Sequence, residues 1–297
     1  MNAANFTGNT DGTQTGQCLE DGVPTGFTQP NSQIRVTLGG NPHVQPEESE
    51  GLNLGVIIEP VEGLKLYADY YEIEITDTIS TIGSQLIMNG CYRENNQVYC
   101  GLIDRLSTGF VDDLRNTTNN IGIVETSGFE LAATYDWSDN LGNWRATSEI
   151  AFLDTYDVTK ADGSIEHYAG YVTGNGRNQF KEIKGNFGLI WNRDVLTLSL
   201  SGQYHGKVDG VAGQVPRTAT DGSYLIGDDI RSLGDTWEWD AQANYSFEII
   251  TATLSVGIAT IVADDPPVFP ESFANDFDPS YRTWGSQFWY IRVASQF

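Results

Sequence analysis

No run of about 18 apolar residues occurs in the 297-residue chain, so no transmembrane helix is predicted. Basic residues are scarce: Lys and Arg total 16 against 40 Asp and Glu, a formal charge of −24. Phosphate backbones attract basic surfaces, so nucleic acid is excluded as a partner. Histidine is limited to His43, His167 and His205, each isolated in the sequence. No G-x-S-x-G elbow is present to support a nucleophile. The acidic clusters Asp112-Asp113, Asp228-Asp229, Asp264-Asp265 and Asp276/Asp278 do not fit EF-hand spacing. They read as hydrated loop charge, with divalent-cation bridging as the alternative. The chain is therefore expected to have no catalytic residue, no cofactor and no metal centre.

Cysteine is also scarce. Cys91 and Cys100 are separated by eight residues in a polar stretch, and Cys18 stands alone. The local pair points to a loop disulfide in an oxidising compartment. A zinc site would need a second pair at zinc spacing, and none occurs. Cys18 then has a partner outside the chain or is a free thiol. The opening "MNAANFTGNTDGTQTG" lacks the basic start and apolar stretch of a signal peptide. Either the protein is cytoplasmic or the sequence is a piece of a longer chain, and the cysteines favour the piece.

Aromatic residues and glycine are plentiful: 14 Tyr, 13 Phe, 7 Trp and 32 Gly. Such a mixture suits short strands and turns. Residues 1–50 are polar, without sustained period, and read as a long loop. From residue 51 a period of two takes over. Leu52, Leu54, Val56 and Ile58 share one face, then Leu64, Leu66, Ala68 and Tyr70. The parity breaks at Glu72 and Glu74, which predicts a strand leaving its apolar surroundings near Tyr70, or a bulge. Phe129, Leu131, Ala133 and Tyr135 form the next apolar row, followed by Trp144, Ala146, Ile150 and Phe152. Phe187, Leu189 and Trp191 precede Leu196, Leu198 and Leu200. Trp239, Ala241, Ala243, Tyr245 and Phe247 precede Leu254, Val256 and Ile258. The closing "WYIRVASQF" sets Trp289, Ile291, Val293, Ser295 and Phe297 against Tyr290, Arg292, Ala294 and Gln296.

Nine strands result, with connections that alternate short and long. Several long structureless loops are uncommon in a globular domain. Outer-membrane barrels have this asymmetry, with short periplasmic turns and long extracellular loops. Aromatics at the limits of the apolar band, such as Tyr70, Tyr135, Trp144, Trp191, Trp239, Tyr204, Tyr245 and Trp289, match interfacial girdles. The expected fold is all-β: an antiparallel transmembrane β-barrel. Bacterial single-chain barrels have even strand numbers, so nine strands are expected to be part of a larger one. A soluble or surface-exposed β-sandwich that binds glycans is the rival. A passive porin, which needs a closed even-stranded barrel, is a weaker third reading.

The ordered motifs "NPHVQPEESEGLNLGVIIEP", "LKLYADYYEIEITDTIS", "TSGFELAATYDW", "DDPP" and "FWYIRVASQF" together resemble TonB-dependent outer-membrane receptors. The resemblance covers about 41–297. Two departures stand out: "ATIVA" precedes "DDPP", and Gly285-Ser286 precedes the last strand.

The resemblance implies the C-terminal portion, about nine strands, of a 22-stranded barrel whose lumen is plugged. By it, 1–50 is an extracellular loop segment and 51–297 the barrel portion. The implied location is the Gram-negative outer membrane. The implied activity is binding and translocation of a siderophore, cobalamin or oligosaccharide by an energy-dependent importer. The implied partners are outer-membrane lipid, the receptor's own N-terminal strands and plug, the TonB energy-transducing complex through that plug, the barrel-assembly machinery, and a small-molecule ligand. Trp289, Ile291, Val293 and Phe297 would form the assembly signal.

Aromatic and charged side chains at loop-to-strand junctions can hold a sugar or chelate. Arg282, Trp284 and Trp237 are the candidates, with a girdle role the stronger reading for Trp237. Lumen-facing Arg145, Glu149, Asp240 and Arg292 are expected to pair with one another or to hold a plug.

Overall fold

The computed structural model describes residues 21–24, 27, 34–172, 179–211, 215–225, 230–247, 249, 251–265, 268 and 287–295. Cys18, Arg282, Trp284, Asp276, Asp278, Gln296 and Phe297 lie outside them. The chain divides into two compact units, residues 1–48, 75–123 and 159–163 in one, and 49–74, 124–158 and 164–297 in the other.

The second unit carries nine long strands: β1 (Glu48–Val61), β2 (Leu64–Thr76), β3 (Ile123–Asp139), β4 (Gly142–Thr159), β5 (Ile183–Arg193), β6 (Leu196–His205), β7 (Thr236–Phe247), β8 (Ala252–Ala263) and β9 (Phe288–Ser295). Each pairs with its neighbours in chain order, from β1 through to β9, in one sheet. From β4 to β9 every pairing is antiparallel. Among the described residues, β1 pairs within this sheet only with β2, and β9 only with β8.

Register decides which side chains share a face, because the strand period is two. One rung reads Trp144, Trp191, Leu198, Ala243, Val256, Ile291. The next reads Ala146, Leu189, Leu200, Ala241, Ile258, Trp289. The alternation read in each strand thus propagates as one apolar face across the ladder. That face is open: Ile291 is 74% and Val293 71% exposed. The opposite face is polar, with a rung of Asn143, Asn192, Thr197, Asn244, Ser255 and Arg292.

Short turns close the hairpins. Gly63 (φ 80) and Asp194 (φ 50) take the left-handed conformation, which glycine adopts freely and aspartate tolerates. A bulge shifts the β7–β8 register between Trp239 and Ala241. Strand β2 runs through Tyr70. It continues to Thr76, and the exposed Glu72 and Glu74 lie beyond the Tyr70–Phe129 ring pair, whose centroids are 5.1 Å apart. The apolar band ends there while the strand goes on.

The first unit differs from the plain loops expected of its sequence. Val111–Asn120 pairs with Val36–Gly39 in parallel and with Ile79–Thr81 and Ile103–Arg105 in antiparallel fashion. Two helices, α1 (Ser84–Tyr92) and α2 (Gln97–Cys100), stand beside these strands. Ile87, Met88 and Cys91 of α1 are buried, at the spacing of one helical face, and Ile87 and Met88 cluster with Leu114. Asn96 caps α2, its side chain accepting from Val98 N at 3.0 Å. The pattern of local residues could not reveal Val36–Gly39 as a strand, because its partner lies some 78 positions away.

Candidate functional site

Two aromatic belts bound the apolar face. At the short-turn end, Tyr135, Trp137, Trp144 and Trp191 form a chain of rings with successive centroids 5.1, 5.7 and 6.1 Å apart. At the long-connection end, Trp237 lies among Tyr204 (4.8 Å), Phe187 (5.5 Å) and Trp239 (5.9 Å). From Trp237 to Tyr245 on β7, eight residues at about 3.4 Å each cover about 27 Å along the strand. At a tilt of about 45° that is about 19 Å, on the scale of an outer-membrane barrel's apolar band. Amphipathic rings at both limits of such a band suit two lipid–water interfaces.

The polar face is knit by side-chain hydrogen bonds. The Asn192 amide donates to Thr197 Oγ1 (2.8 Å), and the Gln242 amide to Asn244 Oδ1 (2.6 Å). Tyr290 Oη donates to Gln242 Oε1 at 2.5 Å. Arg145 grips Asp136 through two bonds, Nε to Oδ1 at 2.7 Å and Nη2 to Oδ2 at 3.2 Å. Asp240 Oδ1 accepts from the Thr260 backbone N–H at 2.7 Å, next to the β7–β8 bulge. The sequence pattern leaves Arg145 and Asp240 two roles, pairing within a set of four or holding a plug. Their partners are Asp136 and a backbone amide, because neighbouring strands bring those groups nearest.

At the long-connection end, His167 joins three strands. Its Nδ1 lies 2.9 Å from Asp157 Oδ1 and its Nε2 3.0 Å from Thr218 Oγ1. Both ring nitrogens are occupied, so neither is free for a metal. Tyr156, Tyr168 and Phe180 cluster nearby, and Tyr168 Oη donates to Glu166 at 2.6 Å. Burial, then that bond to Glu166, pushes the Tyr168 phenol well above its ordinary value. No group of three or more potential metal ligands occurs among the described residues.

Asp264 of the "DDPP" stretch has a structural partner that sequence reading missed. Its Oδ2 accepts from the Trp237 backbone N–H at 2.8 Å, fixing the chain as it enters β7. The bond joins residues 27 positions apart, so only register could reveal it.

In the first unit, Cys91 and Cys100 are joined, with Cα atoms 4.7 Å apart. Beside them, Tyr92 Oη donates to Asp21 Oδ2 (2.6 Å) and accepts from Arg105 Nε (2.7 Å). Burial first, and the Asp21 bond second, raise the Tyr92 phenol far beyond its usual value despite Arg105.

A consecutive antiparallel ladder with one apolar, belted face and one polar face is the wall of a transmembrane barrel. The family model "TonB dependent receptor-like, beta-barrel" matches residues 3–259. The chain belongs to the TonB-dependent receptor β-barrel family. It is accordingly placed in the Gram-negative outer membrane. Comparison with the curated proteins gives no match. Among solved structures, the chain resembles the outer membrane transporter YddB of Escherichia coli, with 12% identity and a TM-score of 0.54 over 90% of this chain and 34% of that one. It also resembles a mutant ferric enterobactin receptor PfeA of Pseudomonas aeruginosa in complex with enterobactin, at 18% identity and TM-score 0.51, over 78% and 28%. The same receptor in complex with BCV-L6 gives 16% and 0.53, over 82% and 30%. At these identities the likeness shows the fold. The chain spans about a third or less of the length of these neighbours.

The family fold sets aside the soluble sandwich. Among the sequence-selected residues, Trp237 sits in the upper aromatic belt, and Trp289, Ile291 and Val293 lie on the apolar face of β9. The ladder does not bring Trp237 to the polar face, since it pairs in register with Tyr204, two residues from the Gly202–Trp239 pair.

Proposed function

We propose that this chain is the C-terminal barrel portion of an energy-dependent outer-membrane importer for a small-molecule ligand. The observation that carries the proposal is the two-faced nine-strand ladder, apolar and belted on one side, polar and hydrogen-bonded on the other. By family logic the polar face lines a lumen, and the receptor's N-terminal strands and plug complete the transport path. The TonB energy-transducing complex would act on that plug. Passive flow through this portion alone is not part of the proposal.

Three ligand classes suit such an importer: siderophores, cobalamin and oligosaccharides. The charge of −24 opposes a strongly anionic ligand unless basic groups elsewhere in the receptor compensate. A neutral or cationic ligand is favoured on that ground. Arg282 and Trp284 in the last long connection are proposed as ligand contacts, through guanidinium hydrogen bonds and ring stacking. Trp237 is a weaker candidate, being packed among three other rings. The Cys91–Cys100 disulfide is proposed to hold the α1–α2 segment on the extracellular side.

The test is uptake by cells carrying the full receptor, offered ligands of each class, with and without inner-membrane proton-motive force. Uptake that depends on that force supports the importer. Uptake that persists without it supports a porin. A receptor that stays soluble and monomeric without detergent overturns both. Trp289, Ile291, Val293 and Phe297 are proposed as the signal read by the barrel-assembly machinery. Deleting Phe297 from the full receptor should lower its outer-membrane level, and unchanged assembly counts against that role.

A further inference from the structure

The apolar face is not uniformly filled. A depression of about 430 Å³ lies on β1–β4, lined chiefly by Val56, Ile58, Leu66, Ala68, Leu131, Ala133, Ser148 and Ile150. These eight residues belong to the apolar parity of their strands, the face away from the hydrogen-bonded polar side; Tyr67 and Ala132, of the opposite parity, complete the lining. The volume falls in the range of about 300–1,000 Å³ typical of small-molecule sites.

Side-chain size makes the depression. Ile58, Leu66, Leu131 and Ile150 stand as walls, while Ala68, Ala133 and Ser148 are too short to fill the space between them. On β3 the order along one face is Phe129, Leu131, Ala133, Tyr135. Leu131 and Ala133 therefore lie between the Tyr70–Phe129 ring pair and the Tyr135–Trp137–Trp144 ring chain. The depression is bracketed by both interfacial belts and sits at hydrocarbon depth. Its lining carries two hydroxyl-bearing residues, Tyr67 and Ser148, and no charged group.

We infer that this depression holds an acyl chain of a membrane lipid in an ordered, slowly exchanging position. Depth and chemistry select the occupant. An unfilled apolar hollow forfeits dispersion contacts that a flexible methylene chain can supply by conforming to it. The inference rests on the membrane-spanning reading.

The experiment uses the full receptor in phosphatidylcholine vesicles that contain phosphatidylcholine spin-labelled at mid-chain. Electron spin resonance reports the motionally restricted lipid per receptor. Ala133→Leu fills the depression and should reduce the restricted, slowly exchanging component relative to the native receptor. Ala68→Leu does the same from another strand and serves if the first variant assembles poorly. Ser148→Ala keeps the hollow and should leave the signal unchanged. An equal restricted component in native and filled receptors overturns the inference while leaving the membrane-spanning reading intact. Absence of any restricted lipid around the native receptor would overturn both. A polypeptide held at this face in place of lipid, detected by cross-linking from position 131 in the native membrane, would also overturn it.

Discussion

The Tyr290 hydroxyl reaches across β8 to donate to Gln242 Oε1 at 2.5 Å, two strands away. It can do so because Gly257 stands between them in register with both residues. The ring lies over Gly257, where any side chain would collide with it. Three strands of the polar face are thereby tied by one aromatic arm. Tyr290→Phe should destabilise the barrel by about 0.5–1.5 kcal/mol, the net worth of a hydrogen bond. Gly257→Val should cost more, about 1–3 kcal/mol, by overpacking and by displacing the ring. Urea unfolding in lipid vesicles checks both, and equal losses would argue against the arm.

Leu200 and Ser199 test the assignment of faces. They are neighbours on β6 but belong to opposite rungs, Leu200 with Leu189 and Ala241, Ser199 with Ile190 and Gln242. Leu200→Arg puts a charge near the middle of the lipid-facing band and should cost about 2–4 kcal/mol. Ser199→Arg faces the polar side and should change stability far less. Folding yield and unfolding free energy in vesicles distinguish them, and the reverse ranking would invert the barrel.

The Cys91–Cys100 bond closes a short loop. Chain entropy for about ten residues gives a stabilisation of roughly 2–3 kcal/mol. Reduction, or Cys91→Ser with Cys100→Ser, should raise hydrogen exchange in residues 84–105 while β5–β9 keep their protection. Unchanged exchange in that segment would show that Ile87, Met88 and Leu114 hold it without the bond.

Asp113 links the first unit to pH. Burial alone would raise its carboxyl, but hydrogen bonds from Thr37 and Arg35, the Arg35 charge and the Leu114 amide outweigh it and hold it below the usual value. A depressed folded-state value adds stability above the unfolded value, and that stability is lost as pH falls through the folded one. Protease resistance around Val111–Asn120 should therefore decline at acid pH. Asp113→Asn should lower resistance at neutral pH and flatten the acid decline. Because Arg35 is mostly exposed, high salt should weaken the Arg35–Asp113 ion pair.

Much of the barrel was legible because a strand writes its faces directly into the sequence. Leu196, Leu198 and Leu200 against Thr197, Ser199 and Ser201 give both the strand and its two environments. Trp144 and Trp191 mark the limit of the apolar band by their place in the alternation alone. The site was less legible. Arg145 was recognised as polar-facing, yet its partner Asp136 emerged only from the β3–β4 hairpin. His167 looked isolated because Asp157 and Thr218 are 10 and 51 positions away.

The sequence alone determined the strands and their two environments: period-two alternation fixes the strands, and two chemically distinct faces bounded by aromatics favour a membrane wall over a soluble sandwich. These are local properties, set by side chains one and two positions apart. Only the tertiary structure decided what depends on residues far apart in the chain. It aligned the apolar rows into continuous rungs, set Tyr290 over Gly257, and built a sheet and two helices from polar stretches. It also revealed the hollow at Ala68, Ala133 and Ser148. Alternation tells which face a side chain takes; register tells what stands beside it.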